Sequence, residues 1–238
     1  MDISVVVPVF NEAENISDLN QEINLALKNY DFEIVFVDDH SSDNTLENLK
    51  KIAKENSRIR IIHHKQNYGQ SSAVYTGVNH SKSKWIATID GDGQNDPSDI
   101  PLMYEELLKL NKNTNAYMIA GFRAKRMDSA LKIFSSRYAN KLRNLILKDG
   151  VLDTGCGLKL FSRNRFLDLP FFDHMHRYLP ALHQMNGGKV RSIKVNHRPR
   201  TKGVSKYGFN NRFWVGITDM LGVRWLQKRS KIILVKEV

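Results

Sequence analysis

The 238-residue sequence has little cysteine and no long apolar run. Its one cysteine, Cys156, cannot form an intrachain disulfide, which is typical of a protein from a reducing compartment. No stretch of about 18 uncharged apolar residues occurs, so the sequence predicts no transmembrane helix. No basic region precedes the first apolar run, so we do not expect a signal peptide. These absences favour a cytoplasmic protein.

The composition is that of an ordinary globular protein, with 41% hydrophobic and 26% charged residues. The length favours one domain with an extension rather than two full domains. We place the boundary between a main domain at residues 1–208 and a basic extension at residues 209–238.

The positive charge is unevenly distributed along the chain. The net charge is +11, and residues 186–238 alone hold 13 Lys or Arg against 2 Asp or Glu. This asymmetry indicates an anionic partner such as nucleic acid, a membrane surface or a phosphorylated substrate. No recognised binding module or set of interleaved aromatics accompanies the basic end, so we do not expect nucleic acid to be the partner.

Buried strands alternate with helices over the first half of the chain, which predicts an α/β fold with a mostly parallel sheet flanked by helices. Further strands are predicted at Asp153–Ser162 and Lys189–His197, and a basic helical stretch at Lys125–Lys148. The five earlier strands are Ile3–Phe10, Phe32–Val37, Ile59–His63, Trp85–Ile89 and Ala116–Gly121.

Polar side chains follow four of the predicted strands, where each strand ends. They are Asn11 and Glu12, Asp38 and Asp39, Asp90 and Asp92, and Arg123. In open α/β sheets, ligands bind outside the carboxyl ends of the strands. The sequence therefore predicts a binding site at this edge of the sheet.

The segment Asp90-Gly91-Asp92-Gly93-Gln94 carries the main chemical signal. Its carboxylate and amide oxygens suit a hard divalent cation that also holds substrate phosphates, although an acidic turn that caps the next helix is the plainer alternative. Asp39 can accept hydrogen bonds from a nucleobase. For Glu12, capping of the following helix is as plausible as ligand binding.

Several short motifs then occur in a familiar order: Pro8-Val9-Phe10-Asn11-Glu12, Asp38-Asp39-x-Ser41-x-Asp43, Asn67-x-Gly69 and Asp90-Gly91-Asp92-x-Gln94. Together they resemble the GT-A glycosyltransferases of family 2. The motifs Asp153-Thr154-Gly155-Cys156-Gly157-x-Lys159, His176-Arg177-Tyr178-x-Pro180 and Arg198-Pro199-Arg200-x-x-Gly203-x-Ser205-Lys206-Tyr207 resemble the branch of dolichol-phosphate mannosyltransferases and bacterial polyprenyl-phosphate glycosyltransferases. The likeness runs from Ile3 to about Arg229.

The resemblance implies a Rossmann-like GT-A catalytic domain and assigns roles to particular residues. Phe10 and Cys156 stand where Tyr and Ser are frequent in the family. A nucleotide-sugar donor would contact Pro8, Phe10, Glu12, Val37, Asp39 and Asp90. Mg²⁺ or Mn²⁺ would bind Asp90, Asp92 and Gln94. The implied catalytic residues are Asp92, Arg123, Asp153, Arg200 and Lys206.

The C-terminal segment 211–231 combines apolar and basic side chains at helical spacing. Phe213, Trp214, Ile217, Met220, Leu221 and Trp225 fall near one predicted face, flanked by Lys and Arg. Trp with Lys and Arg on an amphipathic helix indicates binding at a membrane interface. We expect a peripheral protein on the cytoplasmic face of a membrane, with a small membrane partner protein as an alternative. A core helix or a homo-oligomer contact remains open.

The implied reaction is an inverting transfer of a sugar, from a donor such as GDP-mannose or UDP-glucose, to a polyprenyl or dolichyl phosphate. The main alternative is transfer to a sugar hydroxyl, which would require a base such as Asp153. A nucleotidyltransferase usually carries a Gly-rich loop with a basic residue after the first strand, where this chain has Asn11-Glu12. The intact acidic cluster argues against an inactive membrane scaffold.

Overall fold

The structure is a computed structural model that describes residues 1–112, 116–124, 143–200, 202 and 210–231, without the side chains of 210–214. Its strands are β1 Ile3–Val9, β2 Phe32–Asp38, β3 Ile59–His63, β4 Trp85–Thr88, β5 Tyr117–Arg123, β6 Lys159–Ser162 and β7 Lys189–Val195. Its helices are α1 Ile16–Ala26, α2 Thr45–Glu55, α3 Gln70–His80, α4 Asp99–Leu110, α5 Arg163–Leu167, α6 Leu179–Met185 and α7 Asn210–Arg229. Residues 143–147 are also helical, and Met175–Arg177 form a 3-10 turn.

The strands form one sheet in the order β3-β2-β1-β4-β6-β5-β7. Only β6 is antiparallel to its neighbours among the described strands, which confirms the predicted mostly parallel α/β sheet. Every residue of β1 and β2 is buried, because these apolar strands lie at the centre of the sheet with helices over both faces.

Helices cover both faces of the sheet and enclose two apolar clusters. One face packs against α1 and α4, and the other against α3, α6 and α7. The small residues of α3 let it lie close to the sheet. A Cβ atom on Gly77 would come within 2.4 Å of Val6 Cγ1 and 3.1 Å of Val37 Cγ2. This close packing fixes the first residues of α3 beside the ends of β2 and β4.

Two predicted strands are shorter in the structure. The strand predicted at Asp153–Ser162 begins only at Lys159, because residues 153–158 form a loop at the edge of the sheet. Likewise, β7 ends at Val195, and residues 196–200 continue along the site. The predicted basic helix Lys125–Lys148 lies mostly outside the described residues, apart from the helical segment 143–147.

Helix α7 packs on the rest of the fold through one side. Met220 and Val223 are buried, and Gln227 Nε2 donates to the Leu147 carbonyl at 3.1 Å. The single apolar face predicted for this helix is therefore wrong, since Met220 faces the core while Leu221 and Trp225 stay 57% and 60% exposed. In the part of the chain that the structure describes, no helix is both long and apolar enough to cross a membrane.

Candidate active site

Four predicted site residues meet at the carboxyl edge of the sheet. Glu12 follows β1, Asp39 follows β2, Asp90 follows β4, and Arg123 is the last residue of β5. Parallel strands end at a common edge, so residues far apart in sequence become neighbours there. The structure thus brings together the side chains that the sequence predicted for a ligand site.

Asp90 lies at the floor of this site. Gln70 Nε2, at the start of α3, donates to Asp90 Oδ1 at 2.8 Å. The residue keeps some accessible surface, yet burial and then the charge of Asp92 raise the pKa of its carboxyl to about 6, while Lys159, Arg123 and Gln70 act in the opposite direction. Two carboxylates held this closely repel each other, and a bound cation would relieve that repulsion.

Lys159 and Gly157 support Asp90 from the opposite strand, and sequence reasoning gave neither a specific role. Lys159 is 4% exposed, and its ammonium group donates to the Cys156 carbonyl. Burial lowers the pKa of Lys159, and the nearby groups Cys156, Asp90 and Asp153 only partly offset this lowering. A Cβ atom on Gly157 would come within 2.1 Å of Asp90 Oδ2, so only glycine permits this approach.

Asp92 and Gln94 present oxygen atoms beside Asp90. Asp92 Oδ1 accepts from the Gln94 N–H at 3.1 Å, and Gln94 Nε2 donates to the Arg198 carbonyl at 3.4 Å. Asp92 Oδ2, which lies 3.9 Å from Arg200 Nη1, and the Gln94 amide oxygen are oxygen atoms of the kind that Mg²⁺ and Mn²⁺ prefer. Among described residues no cluster of three or more His, Cys, Asp or Glu is arranged for a metal, so the fit rests on this mixed set.

The segment after β7 crosses the site and brings cations onto the N-terminal half of the chain. Arg200 Nη2 donates to Glu12 Oε1 at 2.7 Å, and Arg200 Nη1 lies 3.9 Å from Asp92 Oδ2. Beside it, Lys202 Nζ contacts Asp18 at 2.7 Å, and Arg198 pairs with Glu22 and Asp96. The structure therefore places Glu12, Asp92 and Arg200 in one group. Lys206 lies outside the described residues.

Arg123 and Asp153 form a buried ion pair at the other side of the site. Arg123 Nε donates to Asp153 Oδ2 at 2.6 Å, and Nη2 donates to Oδ1 at 3.0 Å. Their side chains are only 14% and 6% exposed. Burial is the largest single effect and lowers the pKa of the guanidinium. The hydrogen bonds to Asp153, together with the nearby negative charges, outweigh burial and leave this pKa raised. Both oxygens of the candidate base are thus engaged by one cation.

The remaining residues predicted to contact the donor differ in how far their side chains are buried. Asp39 is 3% exposed and accepts hydrogen bonds from His64 and from the loop before α3. Phe10 is half-buried beside Glu12, and Pro8 is buried. The Val37 side chain does not reach the edge, because it is fully buried against α3, and only its main chain can border a ligand.

The family profile described as glycosyl transferase family 2 matches residues 4–169. The chain belongs to this family. Over 234 residues, or 96% of the chain, it is 34% identical to a dodecaprenyl-phosphate galacturonate synthase of Rhizobium johnstonii. It is 32% identical, over 87% of its length, to an undecaprenyl-phosphate 4-deoxy-4-formamido-L-arabinose transferase of Edwardsiella ictaluri. The matched regions are 68% and 63% of these relatives, so the glycosyltransferase chain spans about two thirds of their length.

Solved structures show the same fold at lower sequence identity. The glycosyltransferase chain aligns over 97% of its length, with a TM-score of 0.69 and 16% identity, with glucosyl-3-phosphoglycerate synthase of Mycobacterium tuberculosis, covering 79% of that chain. That protein was crystallised with Mn²⁺, uridine-diphosphate and phosphoglyceric acid. The glycosyltransferase chain also aligns with S. aureus TarS, with a TM-score of 0.63 and 15% identity, over 97% of its own length and 68% of the TarS chain. These likenesses, with the sheet order, confirm the GT-A fold.

Sequence reasoning missed three residues that contact or lie close to the predicted site residues from inside the fold. Gln70 carried no signal beyond its place at the start of a helix, and His64 follows the third predicted strand without a partner that the sequence could identify. The buried Lys159 had a usable signal, since a charged residue at the start of an apolar strand must find partners in the fold.

Proposed function

We propose that the chain transfers a sugar from a nucleoside-diphosphate donor to a polyprenyl phosphate, with inversion at the anomeric carbon. Two relatives named for polyprenyl-phosphate sugar chemistry support the acceptor class. The observation that carries the choice of acceptor within this site is the buried pair between Arg123 and Asp153.

A hydroxyl acceptor would need a base to remove its proton in the transition state. Asp153 was the candidate for that role. Both its oxygens instead accept hydrogen bonds from Arg123, which stabilises the carboxylate as an anion and weakens it as a base. The geometry therefore favours an acceptor that arrives already deprotonated.

A lipid phosphate meets this requirement. Its second pKa is about 6, so much of it is dianionic at neutral pH and can attack without a base. A phosphate oxygen forms the new bond to the anomeric carbon, the bond to the donor diphosphate breaks, and the nucleoside diphosphate leaves with the electron pair. The protein must then hold two anions together, and Arg123 and Arg200 are described cations beside the acidic cluster, with the buried Lys159 behind Asp90.

Asp92 and Gln94, with Asp90 beneath them, would hold Mg²⁺ or Mn²⁺ at the donor diphosphate. When bound, this cation would offset the negative charge that develops on the leaving group. Arg200, tied to Glu12 and close to Asp92, would cover the donor from the segment after β7. Lys206 and Arg137, which lie outside the described residues, are further candidates for anion contacts.

We propose that helix α7 contacts the membrane that contains the lipid acceptor. Its outer side carries Leu221 and Trp225, which are 57% and 60% exposed, and the exposed cations Lys228 and Arg229 follow in the last turn. An exposed Trp beside Lys and Arg suits the boundary between lipid headgroups and acyl chains. Peripheral attachment through this side would bring the acceptor to the site without any membrane-spanning segment in the described chain.

Comparison of acceptors tests the proposal. The purified chain with Mn²⁺ and a nucleotide-sugar mixture would be given a short-chain polyprenyl phosphate, or the matching polyprenol. We expect a lipid-linked sugar only with the phosphate. Transfer to the polyprenol or to a glycan hydroxyl at a comparable rate would overturn the acceptor class and restore the need for a base.

A further inference from the structure

Residues 173–178, which we call the bridge segment, lie between helix α7 and the first turn of α3. The segment contains the 3-10 turn Met175–Arg177. Met175 and Tyr178 are buried and belong to the apolar cluster that α3, α6 and α7 enclose on one face of the sheet. The bridge segment is therefore a packed part of the fold, and it lies between two helices with different proposed roles.

On one side, the bridge segment holds the start of α3. Ser71 Oγ lies 2.7 Å from His176 Nδ1, and it also accepts a hydrogen bond from the His176 N–H at 3.3 Å. Ser71 is only 1% exposed. A Cβ atom on Gly69 would lie 3.7 Å from Asp173 Oδ1, so the bridge segment also passes close to the residue before the helix. Both the side chain and the main chain of His176 thus fix the first turn of α3.

This first turn contacts two carboxylates of the candidate site. The Gly69 N–H donates to Asp39 Oδ2 at 2.7 Å, and Gln70 Nε2 donates to Asp90 Oδ1 at 2.8 Å. Ser71 is the next residue in the chain, so a displacement of Ser71 would move both of these donors. The position of one buried hydroxyl group is therefore linked to the geometry of both carboxylates.

On the other side, helix α7 holds the bridge segment. His174 Nδ1 lies 3.1 Å from Asp219 Oδ2, and Tyr178 Oη donates to the Gly216 carbonyl at 2.8 Å. His174 has a φ of 63°, in the left-handed region that is uncommon for residues other than glycine. Such a backbone conformation persists only where the surrounding contacts hold it, and it occurs preferentially at functional sites. Contacts with α7 therefore stabilise the bridge segment beside α3.

From these contacts we propose that His176 is a positioning residue for donor binding: it fixes the first turn of α3, and α7 fixes His176 through His174 and Tyr178. The inference rests on the proposed function, in which the carboxylates beside this turn act on the donor. His176 also borders the space beside Asp90, so a direct contact with the donor is the competing explanation. Ser71 separates the two, because a buried hydroxyl group can affect the nucleotide only through α3.

A double-mutant cycle on the full chain tests the pair. UDP, GDP, CDP and TDP would be titrated into the wild-type chain with Mn²⁺, and the tightest ligand would then be used for the variants. We expect Ser71→Ala and His176→Leu each to weaken its binding by about fivefold to tenfold, and the double variant to bind no more weakly than either. His176→Asn, whose side-chain amide can take the place of the ring Nδ1, should restore most of the affinity.

Two further variants complete the test. Ser81→Ala is the matched control, because Ser81 is buried at the far end of α3 and its Oγ donates to the Gly77 carbonyl at 2.7 Å. We expect Ser81→Ala to lower stability without changing nucleotide affinity. Asp219→Ala on α7 should weaken nucleotide binding by about threefold in the wild-type background and have no effect when Ser71→Ala is already present.

The outcomes separate this inference from the proposed function. If the wild-type chain bound none of the nucleotides, the proposed function itself would fail. Additive losses in the double variant, or a loss with His176→Leu but none with Ser71→Ala, would overturn the positioning role. An unchanged affinity in Asp219→Ala would overturn the part assigned to α7. Circular dichroism checks folding, and Asp219→Ala together with His176→Asn decides the question if Ser71→Ala unfolds.

Discussion

Asp153 and Arg123 form the pair on which the choice of acceptor depends. If Asp153 positions Arg123, Asp153→Asn should lower kcat/KM for the lipid phosphate by about 10-fold to 100-fold through misplacement of the guanidinium. The acidic limb of the pH–rate profile should remain in the variant, because it reflects the second ionisation of the acceptor phosphate near about pH 6. Loss of that limb in the variant would show that Asp153 is the group that titrates, and would support a base. Asp153→Glu, which retains a carboxylate for Arg123, serves as the conservative control.

His183 predicts how stability changes with pH. It is 3% exposed, its Nε2 donates to the Ala116 carbonyl at 2.8 Å, and burial lowers its pKa from 6.5 to about 4. Between these values the unfolded chain binds a proton that the folded chain does not, so stability is lost as the pH falls below 6.5. We expect His183 to contribute a loss of about 2 kcal/mol between about pH 7.5 and about pH 5.

Urea denaturation at both pH values measures this loss in the wild-type chain and in His183→Gln. The glutamine retains a donor for Ala116 but does not titrate, so the variant should lose about 2 kcal/mol less over the same interval. Equal losses in the two proteins would mean that another group causes the pH dependence.

Helix α3 links packing to the site, because Gly77 sets its distance from the sheet and Gln70 contacts Asp90 at its first residue. Gly77→Ala should destabilise the fold by about 1–3 kcal/mol through overpacking against Val6. The same substitution should also weaken nucleotide binding, since α3 must move.

Gly222→Ala on α7 is the matched control, because no atom lies within 4 Å of the added Cβ. In the Gly222→Ala variant the gain in helix propensity should leave the free energy of unfolding equal to that of the wild type or slightly higher. Similar losses in both variants would contradict the packing argument.

The sequence predicted those elements whose pattern is local. The apolar runs of β1 and β2 and the polar residues at their ends gave the parallel core and its binding edge. The antiparallel insertion of β6 between β4 and β5 could not be predicted, because strand order depends on contacts between distant segments. For the same reason the motif order indicated Asp153 but not its pairing with Arg123. On α7, spacing alone could not separate Met220, which packs on the core, from exposed Trp225.

At the scale of the whole molecule, the excess positive charge and the exposed apolar side of α7 occur at the same end of the chain. We expect the chain to bind vesicles that contain anionic lipid, with an affinity that salt weakens, and to bind neutral vesicles little.

Trp225→Ala should reduce the vesicle affinity by about tenfold, because the indole no longer enters the interface. Co-sedimentation measures this. Leu102→Ala on α4 is the control, since Leu102 is 59% exposed on a different part of the surface. Equal binding of the Trp225 variant and wild type would rule out α7 as the contact.

The most direct test of the central claim is sugar transfer itself. The wild-type chain and Asp92→Ala would be incubated with single nucleotide sugars, Mn²⁺ and a short-chain polyprenyl phosphate, and the lipid product would be identified by mass spectrometry. We predict a sugar phosphodiester from one donor class with the wild-type chain and at least about a hundredfold less with Asp92→Ala. Hydrolysis of donors without any phosphodiester, or equal product from the variant, would contradict the account.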